Sequence, residues 1–387
     1  MSSTWPFDTE WESAQHKTTI CYAGARISIS KMKNRKHYID NLRSLAILLL
    51  FPFHAAQIWS GGEYGGFYVW SHTNNVLYAF STAVYPWYMT LLFTLAGMSS
   101  KYSLQKRTNK QFMAERVKKL IIPFLFGLLV LVPAMTYTGE VHFNGYSGTY
   151  LGQYRLFFSK ISDLTGYKGG FTPAHLWFLL YLFLISLLSL LVVHIQQKWI
   201  KELGVKRIPY WVLVLLFIPE WLMLYVLNIG GKSMGQFFFL YMVGYFILSK
   251  EDMEQEVRNY RFVSLILALL SGTAYTYLYC FAQLRNELGT GLFVFFGWTG
   301  ILTLLGFGQT ILNVQNQISS YFARASYPVY IMHQTVLVIA AYWILKLPMG
   351  IWGHYSLIII ISFIITILLY EIIKRIPYIR GLVGISK

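Results

Sequence analysis

Residues 38–54 read YIDNLRSLAILLLFPFH: an arginine opens the first long apolar helix, and a histidine lies deep inside it. An ionisable side chain at bilayer depth costs several kcal/mol, so His54 is a functional candidate by default. Arg43 precedes it by eleven residues, which at ~1.5 Å per residue places the two about 16 Å apart along the axis. Eleven steps of ~100° make about three turns, so both project from nearly one face. One side of one helix is thus expected to offer an anion binder near the inner surface and a base near mid-membrane.

The rest of the chain fits that reading. It has 387 residues, 56% hydrophobic and 12% charged, where a soluble chain carries about 25% charge. Ten apolar spans stand out, near 42–60, 77–99, 120–138, 174–194, 210–229, 235–249, 262–282, 291–313, 327–345 and 356–373. The expected fold class is all-α: a polytopic membrane protein with about ten transmembrane helices and both termini cytoplasmic. With the first segment inside, only Arg155, Lys160, Lys168, Lys232, Arg285 and Lys346 of the 32 lysines and arginines fall outside. The formal charge of +16 is therefore mostly topogenic. The expected partner is the lipid bilayer, and no nucleic acid is expected.

Residues 1–31 hold no apolar run long enough for a signal peptide and read as an N-terminal extension, with 32–387 as a single transmembrane domain. Cys21 and Cys280 suggest neither a disulfide framework nor a metal motif.

Two more histidines accompany His54. His333 lies in the ninth span, less than two turns from a helix start expected at Ser326-Tyr327-Pro328, where the serine can cap and the proline fits the first turn. His175 sits at the outer mouth of the fourth span, before Trp177. A lone helix histidine is often a hydrogen-bonded packing residue; His54, in register with Arg43, has the strongest claim to be a general base. The depths inferred for the three differ, so no metal site is expected. Arg116 and Lys119, spaced i and i+3 before Ile121-Ile122-Pro123, form a second basic pair at the inner mouth. With Arg43 they suit a ligand with several phosphates, such as coenzyme A; ordinary positive-inside charge is the alternative.

Glu220 enters the fifth span, where it can orient a histidine, bind a hydroxyl or stay protonated. Glu371 lies near the inner end of the tenth. The outer loops Gly61–Asn75 and Thr138–Pro173 are rich in glycine and aromatics, a composition that suits a sugar ring or a headgroup-level belt. No Gly-x-Ser-x-Gly elbow, P-loop or dinucleotide fingerprint occurs in a suitable setting.

In these residues the chain resembles the integral-membrane acyltransferase-3 family, over about residues 36–375. Asp40, Arg43 and His54 match its first-span pattern. Leu95-Ala96-Gly97-Met98 matches its second-span glycine turn. Arg116 and Lys119 match its basic pair, with lysine replacing the second arginine. Ser326, Tyr327, Pro328, Tyr330, His333 and Gln334 match its late motif, and His175-Leu176-Trp177-Phe178 resembles the branch of periplasmic-glucan succinyltransferases.

The resemblance implies an acyltransferase that moves an acyl group from cytoplasmic acyl-CoA to a hydroxyl of an extracytoplasmic carbohydrate or other envelope acceptor. The donor would be acetyl-CoA by default, or succinyl-CoA from the branch. It casts His54 as base, with His333 and His175 as further catalytic candidates. It also casts Arg43, Arg116 and Lys119 on the donor, and Asp40, Tyr330, Gln334 and Trp177 in support or on the acceptor; Glu220 joins that supporting set from its place in the fifth span alone. A transporter or flippase of a lipid-linked sugar or small anion is the competing reading; no pair of matching broken helices favours it.

Overall fold

The computed structural model describes residues 36–61, 67–161, 166–199 and 208–385, so the extension expected over 1–31 lies outside the described residues. Contacts divide the chain into Met1–His37 and Tyr38–Lys387, and the site residues all belong to the second unit. Eight helices in the described residues are long and apolar enough to cross a membrane. Among them are α1 (His37–Gln57) and α2 (Asn75–Leu104). After them α3 runs over Asn109–Asn144. A short α4 (Tyr150–Ser159) leads to α5 (Trp177–Trp199), which is preceded by a 3₁₀ turn at Ala174–Leu176.

The third helix is longer than the 120–138 span read from hydropathy. Two π-helical turns, Val117–Ile121 and Gly127–Leu131, each precede an α segment led by a proline, Pro123 or Pro133. Proline has no N–H to donate, and its ring crowds the carbonyl four residues back. A wider π turn absorbs that defect, and the helix continues instead of ending. The extension takes in Glu140, a buried acid that pairs with Lys160 at 3.2 Å.

The fifth span departs the other way. It breaks into α6 (Tyr210–Leu215) and α7 (Phe217–Met223), followed by a hairpin of β1 (Asn228–Ile229) and β2 (Lys232–Ser233). Pro219 cannot donate to the carbonyl of Leu215, which is where the first piece stops. The sixth span follows as α8 (Met234–Leu248).

A short α9 (Glu251–Asn259) then leads to three long helices: α10 (Arg261–Cys280), α11 (Glu287–Ile311) and α12 (Gln317–Ile344). The last crossing-length helix is α13 (Ile351–Ile373).

The expected helix start at Ser326 is overturned. Helix α12 begins at Gln317, capped by a reciprocal pair in which Asn316 Oδ1 accepts from the Ser319 amide at 2.8 Å and Ser319 Oγ from the Asn316 amide at 3.0 Å. This capping box satisfies the first free amides nine residues upstream of Ser326. Pro328 then lies inside the helix, as membrane helices tolerate.

Helix α2 is the centre of the packing. A Cβ on Gly97 would lie 1.9 Å from the Tyr241 carbonyl oxygen of α8, and one on Gly244 2.3 Å from that of Thr94. Backbones come this close only where both helices present small residues, the usual logic of a crossing in lipid. The glycine turn at 95–98 therefore fixes the position of Ser99 and Ser100, one turn further along.

Candidate active site

The changed start of α12 alters the depth of His333. It sits sixteen residues into α12, and His54 sits seventeen into α1, so each lies about 25 Å from its helix start. The expectation that the three histidines lie at different depths is corrected accordingly. The His54 and His333 ring centroids are 5.4 Å apart, and His175 and His333 are 5.3 Å apart. His333 is the middle ring and is fully buried, and His175 is buried at the 3₁₀ turn before α5. His54 is half-buried. Among the described residues, no group of three or more His, Cys, Asp or Glu is arranged to hold a metal ion.

Each imidazole faces an oxygen through one ring nitrogen. His54 Nδ1 is 2.8 Å from Gln57 Oε1, His333 Nδ1 is 2.7 Å from the Tyr330 carbonyl, and His175 Nε2 is 3.1 Å from the Ile331 carbonyl. A carbonyl or amide oxygen only accepts, so each of these nitrogens donates. That fixes the tautomers and leaves a lone pair on His54 Nε2, His333 Nε2 and His175 Nδ1. The latter two are buried without a hydrogen-bond partner among the described residues. The site therefore offers three basic nitrogens within one cluster. The same bonding leaves a neutral His333 with no ring N–H to donate to a ligand, since its N–H already goes to the Tyr330 carbonyl.

Tyr330 is also committed. Its hydroxyl donates to the His175 carbonyl, and its ring lies 5.6 Å from that of His175. Gln334 is buried, with its Oε1 unpartnered among the described residues. Trp177 is not brought to the histidines; it packs on Phe93, Tyr181 and Phe237, with Lys232 Nζ 5.6 Å from its ring centre. Phe67 closes over His54 in a stacked contact at 5.5 Å.

Toward the start of α1, Arg43 donates to Ser99 Oγ at 2.8 Å, and Arg116 donates to Ser100 Oγ at 2.6 Å. Two guanidinium groups from separate helices thus grip consecutive serines of α2, within electrostatic reach of each other. Each serine hydroxyl donates back to its own helix, Ser99 to Leu95 and Ser100 to Ala96, so its lone pairs are turned to the arginines. Asp40 holds Arg43 from the other side at 3.2 Å. The Arg116 guanidinium also lies over the Phe112 ring.

Lys119 falls inside the π turn, and its side chain is exposed. Its carbonyl is used instead, as acceptor for the Tyr327 hydroxyl. Glu220 is fully buried. Its Oε1 accepts from Gln236 Nε2 at 2.9 Å and its Oε2 has no partner among the described residues, so the hydrogen-bonded neighbour is an amide and not a histidine.

Sequence reasoning missed Gln57, Ser99 and Ser100. Gln57 was readable as the i+3 neighbour of His54 on one helix face. The serines followed the glycine turn, but nothing in the sequence said that two arginines would reach them.

A model of the family described as an acyltransferase domain matches residues 36–371. Among curated proteins, the chain is similar to glucans biosynthesis protein C of Salmonella schwarzengrund, with 23% identity over 380 residues that cover 90% of this chain and 94% of that protein. It is similar to the same-named protein of Salmonella paratyphi B, with 24% identity over 381 residues and the same coverage. No solved structure matches at a significant level.

Proposed function

The chain belongs to the acyltransferase-3 family, and from that premise we propose that it transfers an acyl group from cytoplasmic acyl-CoA to a hydroxyl of an extracytoplasmic carbohydrate or other envelope acceptor. In this reading residues 32–387 are one transmembrane domain. The eight long helices and the two shorter apolar ones, Tyr210–Met223 and Met234–Leu248, make ten crossings with both termini inside.

The donor docks by its phosphates on Arg43 and Arg116, and the exposed Lys119 adds a looser charge. Arginine forks suit phosphate, and the Ser99 and Ser100 hydroxyls hold both forks in place. The pantetheine arm extends along α1 toward His54. His54 Nε2 takes the proton of the acceptor hydroxyl as its oxygen attacks the thioester carbonyl. The tetrahedral intermediate collapses, the C–S bond breaks, and the proton passes to the leaving thiolate. Gln334 is the candidate oxyanion donor, since Tyr330 and His333 have their N–H or O–H engaged elsewhere. His333 and His175 lie beside the base with lone pairs free, so they can share the proton that His54 acquires. Acetyl is the default group and succinyl the alternative; succinyl is the group suggested by the branch resemblance.

The observation that carries this reading is the 2.8 Å contact of His54 Nδ1 with Gln57 Oε1: an amide oxygen accepts, so Nδ1 donates and Nε2 is left as the base on the helix that bears Arg43. The test uses purified protein in liposomes, with acyl-CoA on one side and a glucose oligosaccharide on the other. Coenzyme A release that requires both, from opposite sides, is the expected result. Release only with both on one side would refute a transmembrane transfer.

A further inference from the structure

A second group of histidines lies apart from the first. Beyond the end of α1, a cavity of about 560 Å³ opens between that end, residues 69–72, the end of α3 and the turn joining α12 to α13. That volume falls within the ~300–1,000 Å³ typical of small-molecule sites. Trp70 and Tyr342 supply aromatic faces, and His72, His142, His354 and Lys346 supply polar atoms.

The histidines are oriented. His142 Nε2 accepts from the Trp70 amide at 3.1 Å, so in the neutral ring its Nδ1 carries the proton and can donate. His354 Nε2 lies 3.0 Å from the Leu347 carbonyl and must donate, so its Nδ1 is an acceptor. A donor and an acceptor beside flat aromatic faces are what a ring with hydroxyl groups needs. Lys346 Nζ sits 3.9 Å from the Tyr342 ring centre and 4.2 Å from that of Trp343, a cation held on the cavity wall by rings and not by a carboxylate. No Asp or Glu lines the cavity among the described residues.

We propose that this cavity binds a pyranose ring carrying an anionic substituent, with His142 and His354 on its hydroxyls and Lys346 on the anion. The cavity also adjoins the first site: Val69 lines it, while Phe67, two residues away, stacks on His54. Naming this ligand the acyl acceptor rests on the acyl-transfer reading above; the binding does not.

The experiment measures binding by tryptophan fluorescence, without turnover, using a disaccharide that contains a glucuronate and its neutral glucose counterpart. The anionic sugar should bind saturably and about tenfold more tightly than the neutral one. Lys346→Ala should erase the preference, and Trp70→Phe together with His142→Ala should weaken both sugars, while His54→Ala leaves binding intact. Acyl-CoA binding, measured on the same variants, should be unchanged and shows that each one is folded. Equal binding of the two sugars overturns the anionic assignment, and no saturable binding of either overturns the cavity. Saturable binding without any coenzyme A release would instead sink the acyl-transfer reading and leave the site standing.

Discussion

The His54 and His333 rings, from opposite ends of the chain, lie 5.4 Å apart and tilted by 32°, each donating one ring N–H to a neutral oxygen and each keeping a lone pair. Among the described residues, no carboxylate hydrogen-bonds either ring. The orientation of the base therefore depends on Gln57, an amide one turn along the same helix.

Gln57→Leu should accordingly cut kcat by about tenfold or more and leave the KM for acyl-CoA unchanged. Gln57→Glu should restore most of the rate, because a carboxylate also accepts Nδ1–H and stabilises the imidazolium that forms. Steady-state kinetics on both variants checks this, and a Leu variant at full rate would remove Gln57 from the mechanism.

Arg43→Ala should raise the KM for acyl-CoA about tenfold, some 1.4 kcal/mol, with a smaller effect on kcat. Arg43→Lys should recover only part of the loss, since a point charge cannot keep both the Ser99 contact and a bidentate phosphate contact. An unchanged donor KM in the alanine variant would remove the phosphate assignment.

Glu220 should matter for stability more than for chemistry. Glu220→Gln keeps an oxygen for Gln236 and should leave thermal unfolding in detergent nearly unchanged. Glu220→Ala strands the buried Gln236 amide and should cost about 1–3 kcal/mol. A Gln variant that folds normally but loses turnover would show that the carboxylate acts in the reaction.

Gly97→Leu should destabilise the protein by at least about 1–3 kcal/mol, because the side chain would be built into the Tyr241 backbone. The same clash should spread Ser99 and Ser100 from their arginines. Thermal unfolding reads the first effect and donor binding to the surviving folded fraction the second. Wild-type stability would contradict the close crossing of α2 and α8.

The all-α, multi-span plan was legible because apolar length is a strong, local signal. Boundaries failed around prolines. Ser326 and Pro328 together read as a helix start, whereas a capping box opens the helix at Asn316, and Pro123 gives no hint that a π turn carries α3 through to Asn144. The first failure set His333 too close to its helix start and hid the histidine cluster. Arg43, Arg116 and the three histidines could be named from residue type and depth. Their partners could not, because Ser99, Ser100 and the Tyr330 and Ile331 carbonyls are set by how helices cross. The cavity beyond the end of α1 was out of reach for the same reason: four separate segments build it.

The most direct test compares coenzyme A release by wild type and His54→Ala, with acyl-CoA affinity measured on both. Turnover should fall by a factor of about 100 or more in the variant while donor affinity stays within about twofold. Undiminished coenzyme A release from a folded His54→Ala protein would contradict the assignment of that imidazole as the base.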